Sequence, residues 1–328
     1  MPPLRCAAMS VSNASAPPSR TLWLDGALVP WETARVHVLS QSLARGSLIF
    51  DYMSVHETPR GAAIFRLRDH VERFVASARL VGLPLAQDAA TLCDACKTAV
   101  RANPGAKVVK LNAYFASEEV DVVPADDRLS VAALAYDPWG DVLLRKSQPP
   151  ARPPKTVRLW VEKEIRQRRA DILHPHAKVA GNYTAAMIAK WRARKAGYDE
   201  IVLLDERGNL TETPTANFFL VDAAGVLRSA PDEAVLLGVT RRSVLELADA
   251  EDIKTTRDEP LPLKALATAR EAFLTGTSAG VWPVESADGR PIGRECPGPV
   301  TRRLRERFQR VVAGEDAQFA HWLERVND

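Results

Sequence analysis

Residues 174–197 read HPHAKVAGNYTAAMIAKWRARKAG, and the fold turns on how Lys178 is set in that stretch. Lys178 stands at the end of an irregular run, just before the helix NYTAAMIAKWRARKAG. A lysine by itself says little, because most lysines are solvated. What distinguishes this one is its company. Gly181, Asn182 and Tyr183 follow at once, then the helix, the strand DEIVLLD, the turn Glu206-Arg207-Gly208 and the segment LTETPTANFFLVD.

Working outward, the strands TVRLWVE, DEIVLLD, NFFLVD and EAFLTG alternate with NYTAAMIAKWRARKAG and the helix TRRSVLELADA, which argues an α/β unit over 157–328. Upstream, SQPPARPPK (147–155) carries four prolines in nine residues. Proline fixes φ and cannot donate to a ladder, so 147–156 reads as a stiff linker. The part before it, 21–146, reads as a smaller α+β unit. TLWLDGALVPW forms a hairpin about Asp25-Gly26, and GSLIFDYMSVH and GAAIFRLR are further strands. DHVERFVASARLVGL is an amphipathic helix that Asp69 can cap. Ala89–Arg101 is a second helix, and Lys107–Ala116 and Arg128–Tyr136 are two more strands. Residues 1–20 read as a disordered tail.

The 328 residues are 46% hydrophobic and 26% charged, an ordinary globular composition with material for two cores. A net charge of +3 with scattered arginines does not supply the concentrated basic face that nucleic acid requires. The basic C-terminal stretch TRRLRERFQRVV reads instead as a solvated amphipathic helix. No apolar run approaches the roughly 20 residues of a membrane span. Four cysteines are too few for a stapled secreted fold, and Cys93 and Cys96 share a helix face without a second pair to complete a metal site. His174 and His176 likewise lack a partner cluster, and neither a GxGxxG fingerprint nor a nucleophile elbow is present. The expectations are no metal, no nucleic acid, no membrane and a cytoplasmic setting.

The string K-x-x-G-N-Y, a helix, then D-x-x-G-x-x-x-E-x-x-x-x-N-x-F runs through Lys178, Gly181, Asn182, Tyr183, Asp205, Gly208, Glu212, Asn217 and Phe219. It resembles the core of the class IV aminotransferases, the fold-type IV enzymes that use pyridoxal phosphate, closest in feel to branched-chain aminotransferase-like proteins. The strand of GSLIFDYMSVH and the following H-x-x-R-x-x-x-S helix resemble the family upstream. Downstream, LLGVTRRSVLELA and EAFLTGTSAGVWPV do the same, so the resemblance covers roughly residues 21 to 310. It implies a fold like that of D-amino acid aminotransferase, and a homodimer in which loops of one subunit help to close the other's site.

It also assigns roles. Lys178 is implied to hold the cofactor as a Schiff base and to shuttle the proton. Glu212 matches the carboxylate that pairs with the pyridine nitrogen, and Tyr183 the hydroxyl beside the phenolic oxygen. Arg73, the helix start Gly238-Val239-Thr240 and Thr277 match the phosphate ligands. A guanidinium fork, free N–H groups and a hydroxyl all suit a dianion. Each residue alone also has a bland reading: surface arginine, strand-end acid, half-buried tyrosine, Thr240 as an N-cap, Gly276 as a turn. Their order and spacing together favour the site.

Substrate choice is less legible. Phe50, Ser278 and Ala279 fall where the family lines its substrate pocket. The Y-x-R of branched-chain enzymes is replaced by Val108 and Lys110, and Arg45 stands where a tyrosine is expected before Gly46. Arg45 and Lys110 together could offer a substrate carboxylate two positive partners. The expected reaction is ping-pong transamination between an apolar, branched-chain-like L-amino acid as donor and a 2-oxo acid as acceptor. A D-amino acid or (R)-amine transaminase, and an aminodeoxychorismate lyase-like enzyme, are the alternatives.

Overall fold

The computed structural model describes residues 20–328, so Cys6 and all but the last residue of the expected tail lie outside the described residues. β1 (Thr21–Leu24) and β2 (Ala27–Pro30) form the expected hairpin. Asp25 and Gly26 both have positive φ, 47° and 101°, as a two-residue type I′ turn requires. With β3 (Ile49–Thr58), β4 (Gly61–Phe65), β5 (Val108–Tyr114), β6 (Ser130–Tyr136) and β17 (Leu323–Arg325) they make an antiparallel sheet in the order β17-β4-β3-β5-β6-β1-β2. The chain's last strand thus returns to the first sheet.

Strand alternation gives this sheet two distinct faces. Val109, Leu111 and Ala113 of β5 are buried in a core with α2 (Leu67–Leu80) and α3 (Ala89–Arg101), while Lys110 and Asn112 face the other way. α3 has the expected bounds, capped by Asp88 accepting from Thr91 N. Cys93 and Cys96 on it are free thiols. α2 departs from expectation, because Asp69 does not cap it. The helix starts at Leu67 behind Arg66, which takes φ 46° and makes no side-chain cap. Leu67 is fully buried, and packing it extends the helix past Asp69. The Asp69 carboxylate instead accepts from Arg66, 3.2 Å away, within the first turn.

The second sheet is formed by β7 (Val157–Val161), β8 (Glu200–Val202), β10 (Asn217–Val221), β11 (Leu227–Ser229), β12 (Thr255–Thr256), β14 (Glu271–Gly276) and β15 (Gly280–Ala287), in the order β12-β11-β10-β14-β15-β7-β8. β9 (Asn209–Leu210) pairs with β13 (Leu261–Pro262), and β16 (Arg290–Pro291) lies beside β15. The strand–helix alternation read from the sequence holds only at the flanks. β15, β7 and β8 run parallel, whereas β11, β10, β14 and β15 are antiparallel: short turns join β10 to β11 and β14 to β15, and β14 returns beside β10 after the excursion through α5. β10 is buried on both faces. Phe219 packs with Phe273 toward α5 (Val239–Ala250) and α6 (Pro299–Val312), and Phe218 packs with Leu159 and Leu274 on the other side.

Between the sheets, Pro138–Leu143 forms a π-helical turn that the sequence reading missed, and Ala151–Pro154 run as irregular chain. Two helices complete the frame around the cleft, the short α1 (Gln41–Arg45) and α4 (Tyr183–Lys195). Among the described residues no helix is long and apolar enough to cross a membrane.

Candidate active site

Lys178 is fixed by its backbone before its side chain is considered. Residues 178–181 run antiparallel to the approach of β3, with Phe50 N donating to Lys178 O (3.1 Å), Ala180 N to Leu48 O (2.8 Å) and Gly181 N to Gly46 O (3.1 Å). Lys178 N donates to Ser77 Oγ of α2 at 3.0 Å. This close approach explains the glycine of K-x-x-G-N-Y. A Cβ on Gly181 would meet Gly46 O at 3.2 Å, and Gly46 itself turns the chain at φ 71°. The lysine Nζ then donates to Tyr183 Oη at 2.9 Å and stands 4.8 Å from the centre of the Phe50 ring. Tyr183, the first residue of α4, packs its ring 5.4 Å from Phe50.

Glu212 lies in the same cavity, which has a volume of about 990 Å³. Its carboxyl is buried and its bonded partners are all neutral. Gln167 Nε2 donates at 2.6 Å, Asn217 Nδ2 at 3.1 Å and Leu236 N at 3.1 Å. Burial pushes the Glu212 carboxyl up to about 7, against the pull of the Arg168 guanidinium and the Gln167 amide. Asn217 also explains Gly238. A Cβ there would lie 2.0 Å from Asn217 Oδ1.

Gly238 is the residue that precedes α5, so Thr240 is not the N-cap; it sits inside the first turn. No side chain caps this helix; Gly238 N donates to Leu236 O at 2.8 Å, and Gly238, Val239 and Thr240 at the helix start line the cavity. Thr277, Ser278 and Ala279 line the same space from the turn between β14 and β15, where Gly276 pairs with Gly280. Arg73 reaches the cavity from α2, but its fork is already engaged. Nε and Nη2 donate to the two Asp51 oxygens at 2.9 and 2.8 Å, and Nη1 to Leu237 O at 3.1 Å. Burial pushes the Asp51 carboxyl up, but Arg73 and His70 more than offset it and hold the group well below the usual range.

The structure therefore brings together Lys178, Tyr183, Glu212, Arg73, Gly238, Val239, Thr240, Thr277, Ser278, Ala279 and Phe50. It does not bring Arg45 in. Arg45 is exposed at the end of α1 and donates to Val120 O at 3.2 Å, because residues 40–42 are bridged to 115–118 and turn it outward. Lys110 is half-buried behind Phe50, its Nζ 5.2 Å from the ring centre, and is not a lining residue. The two cations do not form a pair. Sequence reasoning missed Tyr52, Gln167, Arg168, Asp51 and His70. The alternation of β3 was the available signal for Tyr52, two residues beyond Phe50 on the same face. Nothing local marks Gln167, which meets Glu212 only through the tertiary fold.

Two cavity-lining residues carry buried atoms, Thr275 Oγ1 and Arg168 Nε, that have no hydrogen-bond partner among the described residues. The polar groups around the space could hold a small planar molecule with a cationic nitrogen toward Glu212, a hydroxyl or carbonyl toward Lys178 and Tyr183, and an anionic arm toward α5. Among the described residues no group of three or more His, Cys, Asp or Glu could hold a metal.

Residues 48–287 match the family model for amino-transferase class IV. The chain belongs to the class IV aminotransferases. This aminotransferase is 30% identical over 308 residues to the branched-chain-amino-acid aminotransferase of Escherichia coli K12, an alignment covering 93% of this chain and 97% of that one. Among solved structures, the branched-chain aminotransferase of the archaeon Thermoproteus uzoniensis with norvaline superposes with a TM-score of 0.84 at 32% identity, over 94% of this chain and 100% of that one. The branched-chain amino acid aminotransferase of Thermobaculum terrenum in its PLP-form gives a TM-score of 0.83 at 26% identity, with 94% and 98% covered. The mixed α/β architecture of this aminotransferase is therefore that of the fold-type IV enzymes, as the sequence resemblance implies.

Proposed function

We propose that this class IV aminotransferase binds pyridoxal 5′-phosphate and moves the amino group of an apolar, branched-chain-like L-amino acid onto a 2-oxo acid in two half-reactions. One observation carries the reading. A lysine amine, a phenol and a buried carboxyl with only neutral bonded partners share one cavity. Ionising such a carboxyl without a bonded cation is costly. Glu212 would hold a protonated pyridine nitrogen of the cofactor, a cation that would make ionising this carboxyl favourable. The open N-terminus of α5, the Thr277 hydroxyl and Arg73 suit the phosphate, Asp51 holding the Arg73 fork in place.

When bound, the cofactor supplies an aldehyde that takes the amino group and a ring that accepts electrons from the substrate's Cα. The rest falls to the chain. Lys178 would hold the aldehyde end, and its Nζ, once released by the incoming amine, would take the proton from the substrate's Cα. Tyr183 holds the lysine and the phenolic oxygen in register, and Phe50 packs against both side chains. Ser278 and Ala279, beside Thr277 in the turn, face the substrate side. The branched-chain relatives support the apolar L-donor.

The test is the visible absorption of the purified protein with pyridoxal phosphate, before and after L-leucine, D-alanine and an (R)-amine are added separately. The expected result is a long-wavelength band that L-leucine removes and 2-oxoglutarate restores. Removal by D-alanine or the (R)-amine alone would reassign the donor. A band that no donor removes would point to a lyase, and a folded protein without the band would overturn the reading.

A homodimer is part of the same proposal. Val38, Leu43, Val120 and Val123 are 73%, 60%, 96% and 71% exposed on segments zipped together by the Ser40–Glu118 bridge, and α1 leads straight to Gly46 beside Gly181. Exposed apolar side chains grouped on joined segments next to the site call for cover, and a second copy would supply it. Light scattering on the purified protein is expected to give twice the chain mass; a monomer at micromolar concentration would remove this part.

A further inference from the structure

Tyr52 is the unexplained residue of the cavity wall. On β3 the side chains of Ile49, Asp51 and Met53 go to the core, while Phe50 and Tyr52 are half-buried on the cleft side. Both line the cavity that holds Lys178. Tyr52 stands one strand step beyond Phe50, and its cross-strand partner in register is Lys110. Lys110 has no carboxylate within salt-bridge distance among the described residues, and burial, then the charge of Lys178, pulls its pKa down. It contributes positive field to this wall from behind Phe50.

Tyr52 and Ser278 line the same cavity, so this strand of the first sheet faces the turn carrying Thr277 and Ala279, and Tyr136 lies close enough to bear on the Tyr52 phenol. Burial pushes the phenol well above its usual value, so it remains an O–H donor throughout the working range. Asp137, whose charge bears on Tyr52, has its Oδ1 engaged, accepting from Trp139 N at 2.9 Å. The wall thus presents hydroxyl donors with the Lys110 cation nearby, and Asn112 Oδ1, across the ladder from Phe50, is a buried acceptor there without a partner among the described residues. Hydroxyl hydrogens rotate, and a phenol oxygen that accepts from one neighbour donates more strongly to the next. A carboxylate, which only accepts, completes such a chain.

We propose that Tyr52 is a specificity-determining residue of this site, its hydroxyl, backed by Tyr136 and Ser278, donating to the carboxylate of the amino-acid and 2-oxo-acid substrates. This rests on the transamination proposed above. Within that reaction it separates substrates that carry a carboxylate from amines and aldehydes that do not, because a site built to donate loses a bond when the acceptor is missing.

The experiment compares wild type, Y52F and Y136F, each loaded with pyridoxal phosphate, in single half-reactions with L-leucine and with an alkylamine of matched shape lacking the carboxylate. Wild type must first show the cofactor band and lose it with an amino donor; if it does not, the proposed function fails and this inference with it. Given that, Y52F is expected to lose about 10- to 100-fold in kcat/KM for L-leucine, mainly through KM, the cost of one hydrogen bond to a charged group. The alkylamine rate is expected to change less than about threefold, since that substrate never made the bond. Y136F, which removes only the backing donor, is expected to lose several-fold on L-leucine alone. Equal losses on both substrates in Y52F and Y136F, or none on L-leucine in either, would overturn the proposal.

Discussion

Replacing Lys178 with alanine is expected to abolish turnover while leaving the protein folded. The expected loss in kcat is about 10³-fold or more, since one side chain is both the covalent anchor and the proton carrier, and general acid–base catalysis alone contributes about 10²–10⁴-fold. The fold has little reason to suffer. The side chain makes a single hydrogen bond, to Tyr183 Oη at 2.9 Å, and the contacts that fix this segment are those of its backbone with Leu48, Phe50 and Ser77. Two measurements separate the chemical role from a structural one. The melting temperature of the cofactor-free variant should match wild type within a few degrees. Small primary amines added to the solution should restore part of the proton-transfer rate in K178A, because they replace the missing base without repairing any packing. A K178A protein that turned over at a tenth of the wild-type rate would remove Lys178 from the chemistry.

Glu212→Gln is expected to cost on the order of 10²-fold or more in kcat, the scale seen when a preorganised electrostatic partner is lost. The amide keeps the shape of the carboxyl but cannot carry the charge that stabilises a protonated ring nitrogen. The same residue gives a stability signature in the cofactor-free protein. Burial raises its pKa from an ordinary 4.5 to about 7 in the folded state. Between those values the folded chain binds a proton that the unfolded chain does not, so stability falls as pH rises. The contribution is fully present below pH 4.5 and is lost by the time the pH passes 7, on the order of 3 kcal/mol in all. In E212Q this component should vanish, leaving a flatter melting profile from pH 5 to 7. Loading wild type with the cofactor should flatten it too, because a neighbouring cation makes ionisation favourable. If E212Q and wild type show the same pH slope without cofactor, Glu212 is not the buried, proton-holding group described above.

The sequence alone determined those parts of the protein that depend on near neighbours in the chain. The spacing of Lys178, Gly181, Asn182 and Tyr183 fixes a lysine, a close backbone contact and a phenol within one turn of chain, and the structure adds only the partner of that contact, Gly46. The Asp25-Gly26 hairpin and the bounds of α3 were legible for the same reason: φ preference, capping and periodicity act over a few residues. What only the tertiary structure decided is where side chains from distant segments point. Lys110 and Arg45 carry the right charge, but Lys110 ends against the Phe50 ring instead of lining the cavity, and the bridge between residues 40 and 118 turns Arg45 toward Val120. Gln167 and Glu212 are 45 residues apart, and their bond, with the burial around it, sets a carboxyl pKa that no motif encodes. A strand register slipped by one residue would send Tyr52 into the core and Asp51 into the cleft. Local chemistry is written along the chain, whereas burial and direction belong to the packed molecule.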